Sequence, residues 1–350
     1  GIIGAGGAGF PTHVKLNSKA DYILLNGAEC EPLLRVDQQL MAMYPEKIIT
    51  GLYLAGQQVE AKHAIIGIKV KHQDVIEILR NKIKELELAA QVSVKELPDI
   101  YPAGDEQVLV YELTGRVVPE AGIPIAVGCV VINTETALNI FHATQGEPVV
   151  DKYVTIAGEV PEPVTVKVPV GTPLRDVIAL SGIKSLAGYA VIDGGPMMGP
   201  LATNLDGFVT KKTKGLVILP EEHNLIRKKQ KEMRSAVTLN KTACEQCRMC
   251  TDLCPRHLLG HSTSPHKMVR AMSYSKMTAQ EDLTVAQTCC QCNLCEYFSC
   301  PAGINPKMAN LYFMTEQKKE GIKFVPKKEA YTPRAMRAYR LVPSKRLIAH

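Results

Sequence analysis

The chain has 350 residues, 46% of them hydrophobic and 22% charged, an ordinary composition for a globular protein with room for two or three separate cores. It contains no run of about 18 apolar residues, so no membrane span is predicted. Its net charge of +6 is mild, and an aromatic content of 5% without a recognised binding motif argues against nucleic acid as a partner.

A glycine-rich loop opens the chain with the sequence GIIGAGGAGFPTHVKL. Gly4, Gly6 and Gly9 match the pattern G-x-G-x-x-G, in which glycine lets backbone N–H groups and a flat ring approach closely. A standard dinucleotide fold needs a helix running through this loop, and Pro11 disfavours that helix. We therefore predict a phosphate or ring cradle of a different construction.

A short strand at 22–25 runs into the sequence NGAECEP, which carries Glu29 and Glu31. Polar side chains at the carboxyl end of a strand in an α/β sheet are where ligands usually bind. The pattern leaves two interpretations open for the two acids, which are a ligand site and a solvated turn.

Helices and strands then alternate. The apolar spacing predicts helices at 45–60 and 73–90 and strands at 63–69 and 92–96. This order predicts a parallel sheet with helices on both faces.

Two further motifs place polar residues at helix starts. The sequence YPAGDE at 101–106 opens a predicted helix at 106–114, and NTET at 133–136 opens another after a strand at 128–132. Either motif fits a ligand at the helix N-terminus, and the first fits an ordinary helix cap equally well.

Residues 152–220 differ in pattern. They predict a β-hairpin around Pro161, a helix near 173–181 and strands at 189–192 and 216–219, which together indicate a small α+β binding or spacer module. Between the last two strands lie Met197 and Met198, which we expect to be packing residues.

Nine cysteines lie between residues 244 and 300 in two similar runs, each with three cysteines at two-residue spacing and a fourth before proline. This pattern is typical of proteins with two [4Fe–4S] clusters, in which the fourth cysteine of each run binds the other cluster. We therefore assign two sets of ligands: Cys244, Cys247, Cys250 and Cys300 for one cluster, and Cys289, Cys292, Cys295 and Cys254 for the other.

Zinc and disulfides are the competing interpretations of these cysteines. Structural zinc prefers two separated pairs, and disulfides need an oxidising compartment for which no secretory signal is present. The second run has four residues before its last cysteine where three are usual, and the pattern leaves open whether Cys289 or Cys290 is the first ligand.

A helix at 305–317, with Pro306 in its first turn, closes the cysteine-rich region. The rest of the chain is basic, since residues 301–350 hold eleven Lys and Arg against three Asp and Glu. This charge predicts a solvated surface or a docking patch for an acidic partner. The chain begins at Gly1 without an initiator Met and ends at His350 inside this pattern, so we expect both termini to be trimmed.

Four motifs, GAGGAGFPTHVK, NGAECEP, YPAGDE and VINTET, resemble in this order the flavin-binding signatures of the NADH-binding subunit of respiratory complex I. The likeness extends to the C subunit of the Rnf electron-transport complex. It is greatest to the cobalamin reductases of propanediol-utilization microcompartments, through GAECEPLLRVDQQL and CEQCRMCTDLCPRHLLGH.

The resemblance implies an α/β fold with a complex I flavoprotein-like parallel sheet, a β-grasp domain of the SLBB type and an α-helical double-cluster ferredoxin-like domain. The expected boundaries are 1–150 for the FMN and NADH domain, 151–220 for the SLBB-type domain, 221–320 for the cluster domain and 321–350 for a basic tail.

The resemblance also implies roles for single residues. Near FMN it places the glycine loop, Lys15, Asn26 and Glu29; Phe10 would stack on the nucleotide and Glu31 would face the nicotinamide. The residues expected to surround the flavin ring and to hold its phosphate, called the flavin frame below, are Tyr101, Gly104, Asp105, Glu106, Asn133 and Thr136. The catalytic residues implied are Glu29, Glu31 and Glu106.

The function implied is that of an NADH-dependent oxidoreductase, which passes electrons through FMN and two [4Fe–4S] clusters to cobalamin. The implied partners are NADH, cobalamin or a corrinoid-handling protein, and a microcompartment shell or adenosyltransferase. The implied location is the cytoplasm or the inside of a microcompartment, and the protein could be an oligomer. The alternatives are an Rnf-like protein exchanging electrons between NADH and ferredoxin, and a non-catalytic iron–sulfur carrier.

Overall fold

The computed structural model describes residues 1–272, 281–326 and 330–348. Three units follow one another along the chain, and a C-terminal segment returns to the first unit. Within the described ranges, no helix has both the length and the apolar character needed to cross a bilayer.

The first unit contains a parallel sheet in the order β3-β2-β1-β5. Its apolar runs, such as HAIIGIK, are buried on both faces, as expected for strands covered by helices. The strands of this unit are β1 Tyr22–Gly27, β2 His63–Lys69, β3 Val92–Leu97, the short β4 Ile100–Tyr101 and β5 Cys129–Asn133.

Six α-helices and one 3₁₀ turn (Pro124–Val127) accompany these strands. The α-helices are α1 Thr12–Leu16, α2 Val36–Met43, α3 Pro45–Gln58, α4 Gln73–Glu85, α5 Glu106–Thr114 and α6 Thr134–Thr144. Ile23 and Leu25 of β1 pack in the core beneath α2, α3, α4 and α6, whereas Leu24 packs on the opposite face with α5. The predicted parallel sheet is thus observed, although α2 was not predicted and the helix expected at 73–90 ends at Glu85.

The second unit is a four-stranded mixed sheet in the order β7-β6-β9-β8 with one helix against it. Its elements are β6 Asp151–Gly158, β7 Val164–Pro169, α7 Leu174–Ala179, β8 Tyr189–Asp193 and β9 Gly215–Pro220. The predicted hairpin is present, because β6 and β7 pair antiparallel across the turn that holds Pro161. Met197 is buried as expected, but Met198 is 54% exposed.

The third unit consists of short helices around the cysteine runs. They are α8 Asn224–Lys229, α9 Met233–Thr242, α10 Met249–Asp252, α11 Pro255–Leu258, α12 Pro265–Ala271, α13 Glu281–Thr284, a 3₁₀ turn Val285–Thr288, α14 Leu294–Tyr297 and α15 Pro306–Lys319. Pro306 occupies the first turn of α15, where the missing N–H costs nothing.

The C-terminal segment, residues 330–348, packs against the rest of the chain. It contains α16 Arg337–Arg340, β10 Val342–Pro343 and α17 Ser344–Ile348, and β10 pairs antiparallel with β4. Residues 327–329 and 349–350 of the predicted basic tail lie outside the described residues. The solvated surface predicted for this tail is wrong for Arg334 and Arg337, whose guanidinium groups bind backbone carbonyls and a carboxylate elsewhere in the fold.

Candidate cofactor and cluster sites

The glycine loop is closed on itself and tied to the start of α6. The N–H of Gly4 donates to the Phe10 carbonyl at 2.8 Å, and the N–H of Gly9 donates to the Gly4 carbonyl at 3.1 Å. Gly9 has a φ of +69°, a conformation that favours glycine. The loop reaches α6 through the Ala5 N–H, which donates to the Thr136 hydroxyl at 3.1 Å.

The N-terminus of α6 lies beside this loop. Asn133 caps the helix by accepting from the Glu135 N–H at 3.0 Å, and its amide nitrogen donates to Asp37 at 3.2 Å. Glu135 forms a buried ion pair with Lys152, which also donates to the Ala5 carbonyl at 3.2 Å. A glycine cradle against the N-terminus of an eleven-residue helix suits a phosphate group.

Glu29 is buried, so the solvated turn is the wrong interpretation for this residue. Its side chain is 1% exposed and accepts from the N–H groups of Asp37 at 3.0 Å and Gln38 at 3.3 Å, at the start of α2. Burial, followed by the negative charge of Asp37, raises the pKa of Glu29 to about 7. Lys214 of the second unit opposes this effect, with its Nζ 3.9 Å from the Glu29 carboxylate and in contact with Asp37.

Glu31 connects the first and second units. Its two carboxylate oxygens accept from the N–H groups of Met197 and Met198, each at 2.8 Å. Burial raises the pKa of this carboxyl group, and the two amides oppose the rise. Both carboxylate oxygens of Glu31 are therefore bound to the loop between β8 and β9. A role of Glu31 toward nicotinamide stays a proposal.

A second polar corner lies where the 101–106 loop meets β1. The Asn26 amide donates to the Gly104 carbonyl at 2.8 Å, and a Cβ on Gly104 would lie 3.2 Å from the Asn26 Oδ1. Lys15 Nζ binds Glu106 at 2.8 Å and the Val131 carbonyl at 3.0 Å.

Two side chains at this corner are accessible. Phe10 is 46% exposed, and its ring centroid is 6.0 Å from Lys15 Nζ. The Glu106 side chain is 46% exposed. Both are therefore accessible to a ligand, although Glu106 is paired with Lys15.

The residues present fit a phosphate-bearing flavin. Glycines leave room for the backbone to approach a ring or phosphate, and the start of α6 faces the same loop. Lys15 and Asn26 provide N–H donors, and the exposed Glu106 provides an acceptor. The structure thus brings the glycine loop, Lys15, Asn26, Asn133 and Thr136 together at the carboxyl end of β1 and β5, and their role in holding FMN stays a proposal.

The cysteines surround two separate cavities. The first cavity is lined by Cys244, Cys247, Cys250 and Cys300. The second cavity is lined by Cys254, Cys289, Cys290, Cys292 and Cys295. The fourth cysteine of each run therefore joins the three cysteines of the other run, as the crossed assignment requires.

The arrangement suits clusters better than single ions or disulfides. All eleven cysteines fall in the described ranges and are free thiols. In those same ranges, no three Cys, His, Asp or Glu side chains converge to hold one metal ion. Burial raises the pKa of Cys254 to about 12, so this thiol needs bound cations to become the thiolate that ligates iron.

The two runs share a backbone repeat, which distinguishes Cys289 from Cys290. Gln246 and Arg248 have φ of +55° and +67° in the first run, and Gln291 and Asn293 have +55° and +62° in the second. The repeat aligns Cys289 with Cys244 and places Cys290 opposite a non-cysteine position. It favours Cys289 as the ligand, with Cys290 a fifth thiol in the cavity wall.

The second cavity lies directly against the first unit. The Tyr101 hydroxyl donates to the Cys292 carbonyl at 2.7 Å, and Arg256 pairs with Asp105 at 2.9 Å. Tyr101, Met197, Cys292 and Val342 belong to one buried cluster that joins all three units and the C-terminal segment. The wall of the first cavity includes the exposed Cys247.

Several residues of this arrangement were not found from the sequence. Asp37, Lys214 and Arg256 are charged groups whose partners lie far away in the chain, and local spacing gives no sign of such contacts. The one available signal was Arg256 itself, a charged residue directly after the Cys-Pro pair.

Family models match each unit. The Nuo51 FMN-binding domain matches residues 1–142, the SLBB domain residues 153–201 and the 4Fe-4S dicluster domain residues 243–305. Together with the parallel sheet and the two cysteine-lined cavities, these matches define a flavin and iron–sulfur oxidoreductase.

The chain belongs to the family of the cobalamin reductase PduS. It is 45% identical over 353 residues to that protein from Citrobacter freundii, covering 99% of this chain and 76% of the relative. Identity to the Salmonella typhimurium protein of the same name is 43% over 351 residues, covering 100% and 76%. The C subunit of the Na⁺-translocating ferredoxin:NAD⁺ oxidoreductase complex of Acetobacterium woodii is 37% identical over 264 residues, covering 74% of this chain and 56% of that protein.

A solved structure also resembles the fold. The NAD⁺-reducing [NiFe]-hydrogenase in its H₂-reduced state matches with a TM-score of 0.58 and 18% identity, covering 94% of this chain. This chain spans 61% of the length of the hydrogenase chain. At this identity the likeness bears on the fold alone.

Proposed function

We propose that this protein passes electrons from NADH, by way of FMN and two [4Fe–4S] clusters, to cobalamin or another corrinoid. The observation that carries the proposal is the contact between the second cavity and the 101–106 loop. Tyr101 and Asp105 of the predicted flavin frame bind Cys292 and Arg256 in the wall of that cavity.

FMN, when bound, supplies the exchange between two-electron hydride chemistry and single-electron transfer, and the clusters supply one-electron carriers. The protein contributes position and electrostatics. The glycine loop and the start of α6 would hold the phosphate end, and Lys15, Asn26 and Glu106 would hydrogen-bond the ring edge. Exposed Phe10 and Glu106 would contact the nucleotide, and Glu29 and Glu31 keep the cradle joined to α2 and the second unit.

The two cavities have different positions in this route. The second cavity adjoins the flavin frame and is closed by buried residues such as Cys292 and Cys295. The first cavity has the exposed Cys247 in its wall. Electrons that entered at the flavin would therefore reach a cluster in the second cavity first and would leave through a cluster in the first cavity.

The acceptor is inferred from the two relatives named cobalamin reductase. A corrinoid would meet the exposed edge of the first cavity directly, or through a corrinoid-handling protein such as an adenosyltransferase. We place the protein in the cytoplasm, inside a microcompartment where its shell is a further partner.

An anaerobic assay tests this function. Reconstituted protein with NADH should change the visible spectrum of an added cob(III)alamin at a rate that depends on FMN loading. Reduction of ferredoxin with no corrinoid response would instead favour the Rnf-like alternative, which the 37% identity to the Acetobacterium woodii protein supports.

A further inference from the structure

Arg256 is a buried cation in the wall of the second cavity. It follows Cys254 and Pro255, lines the cavity and is 8% exposed. One nitrogen, Nη2, donates to the Asp105 carboxylate at 2.9 Å. Its Nε and Nη1 are also buried, and neither has a hydrogen-bond partner among the described residues.

Unpartnered buried donors are costly, above all on a charged group. The five thiols around the cavity are weak acceptors in their neutral form. Thiolate and sulfide sulfur atoms of a bound cluster are anionic acceptors, and they would satisfy both nitrogens. The orphaned donors therefore fit an anionic sulfur cluster in this cavity.

Among the described residues, the first cavity has no equivalent buried cation in its wall. When the two Cys-Pro pairs are aligned with each other, Ala302 stands at the position that Arg256 holds after the first pair. Arg248 lines the first cavity, but its side chain is 56% exposed and lies 3.9 Å from Asp252. Lys307 also lines the second cavity, where it is only half-buried.

We propose that Arg256 raises the reduction potential of the cluster in the second cavity by donating its free N–H groups to the cluster's sulfur atoms. Reduction adds negative charge to the cluster, and a nearby cation with hydrogen bonds to sulfur stabilises that charge. Asp105 positions the guanidinium group and partly offsets its charge. Because Asp105 belongs to the predicted flavin frame, it links the reduction potential of this cluster to that frame. This role rests on the proposed function, because it requires a cluster in the second cavity.

The test is an anaerobic redox titration followed by EPR on the reconstituted full chain. In Arg256→Gln, the midpoint potential of one cluster should fall by at least about 59 mV, which is a tenfold change for a one-electron couple. The other cluster should keep its potential. Asp105→Asn preserves the helix cap but removes the opposing charge, so it should shift the same cluster upward.

Arg270→Gln, a change at an exposed arginine of α12 that lines neither cavity, is the matched control and should leave both potentials unchanged. If Arg256→Gln does not assemble its second cluster, Arg256→Lys replaces it, and a smaller downward shift of one potential is expected. Two assembled clusters with unchanged potentials in the titrated Arg256 variant would overturn the role of Arg256 alone. Absence of a second cluster from the unsubstituted protein would overturn the proposed function as well.

Discussion

Lys214 joins the second unit to two buried acids beside the predicted flavin cradle. It lies 177 residues from Asp37, yet its ammonium group contacts Asp37 and comes within 3.9 Å of Glu29. Both carboxylates are almost fully buried. Without Lys214, the two acids would share a low-dielectric site with less compensating positive charge, so this lysine controls the charge beneath the cradle.

Lys214→Met should lower the free energy of unfolding by about 3 kcal/mol, because removing one partner of a buried ion pair leaves the other charge uncompensated. Urea unfolding followed by circular dichroism measures this loss. Lys212→Met is the matched control, since Lys212 is exposed in the same loop and should change stability little. Equal losses of unfolding free energy in the two variants would contradict the stabilising role of the buried ion pair.

Glu29 gives the fold a specific pH dependence. Its pKa rises from 4.5 to about 7, mainly through burial, so the folded chain keeps a proton that the unfolded chain loses in this interval. The free energy of unfolding should therefore fall as pH rises from about 4.5 to 7 and then level off.

Urea unfolding at a series of pH values checks this dependence against Glu29→Gln, which carries no titrating group at that position. The difference between the two proteins isolates Glu29 from the other buried carboxyls, such as Glu31 and Glu135, whose pKa values are also raised. Parallel curves for the two proteins would contradict the assignment.

At the scale of elements, the C-terminal segment packs against both the first unit and the third, cysteine-rich unit and joins them. β10 extends β4, the Lys69 ammonium donates to Ser344 at 2.7 Å, and Arg337 pairs with Glu112. Arg334 donates to the His257 carbonyl at 2.8 Å, close to Cys254 and its cavity. The segment therefore stabilises the contact across which we propose that electrons pass.

Arg337→Gln should destabilise the chain by about 1.5–3 kcal/mol, the usual range for a hydrogen bond to a charged group. It should also make the cluster unit more sensitive to limited proteolysis. Arg340→Gln, an exposed change in the same helix, is the control and should leave the cleavage pattern as it was. An unaltered pattern in both variants would argue against the fastening role.

The sequence predicted elements where local signals are strong. Short apolar runs in alternation with helical spacing indicated the sheet of the first unit, and the three-cysteine spacing indicated which thiols come together. Helix α2 was missed because it has only eight residues and its N-cap residue, Arg35, makes no side-chain cap; Glu29, earlier in the chain, binds its first N–H groups instead. The contacts of Glu31, Lys214 and Arg256 were missed because each depends on how separate units pack.

At the scale of the whole molecule, we propose that the units form an ordered electron path. The cradle, the second cavity and the first cavity follow one another, with the exposed Cys247 in the wall of the last. This order predicts that loss of the cluster in the first cavity leaves FMN binding and flavin reduction by NADH intact.

Cys247→Ser should therefore lose one cluster but keep its FMN and its reduction by NADH, while electron transfer to the corrinoid falls at least tenfold. Iron analysis, flavin absorbance and the corrinoid assay measure these three properties. Arg248→Ser, a change at an exposed position beside Cys247, serves as a control because it keeps all four cysteine ligands. Unchanged iron content in the Cys247 variant would contradict the ligand assignment.

The most direct test of the proposed electron path is an anaerobic titration of the reconstituted protein with NADH, followed by visible absorbance and EPR. The path predicts bleaching of the flavin absorbance, accompanied by the EPR signals of reduced [4Fe–4S] clusters. Unchanged flavin and clusters, in protein whose clusters are still reduced by dithionite, would show that the chain has no working entry site for NADH and acts only as a carrier.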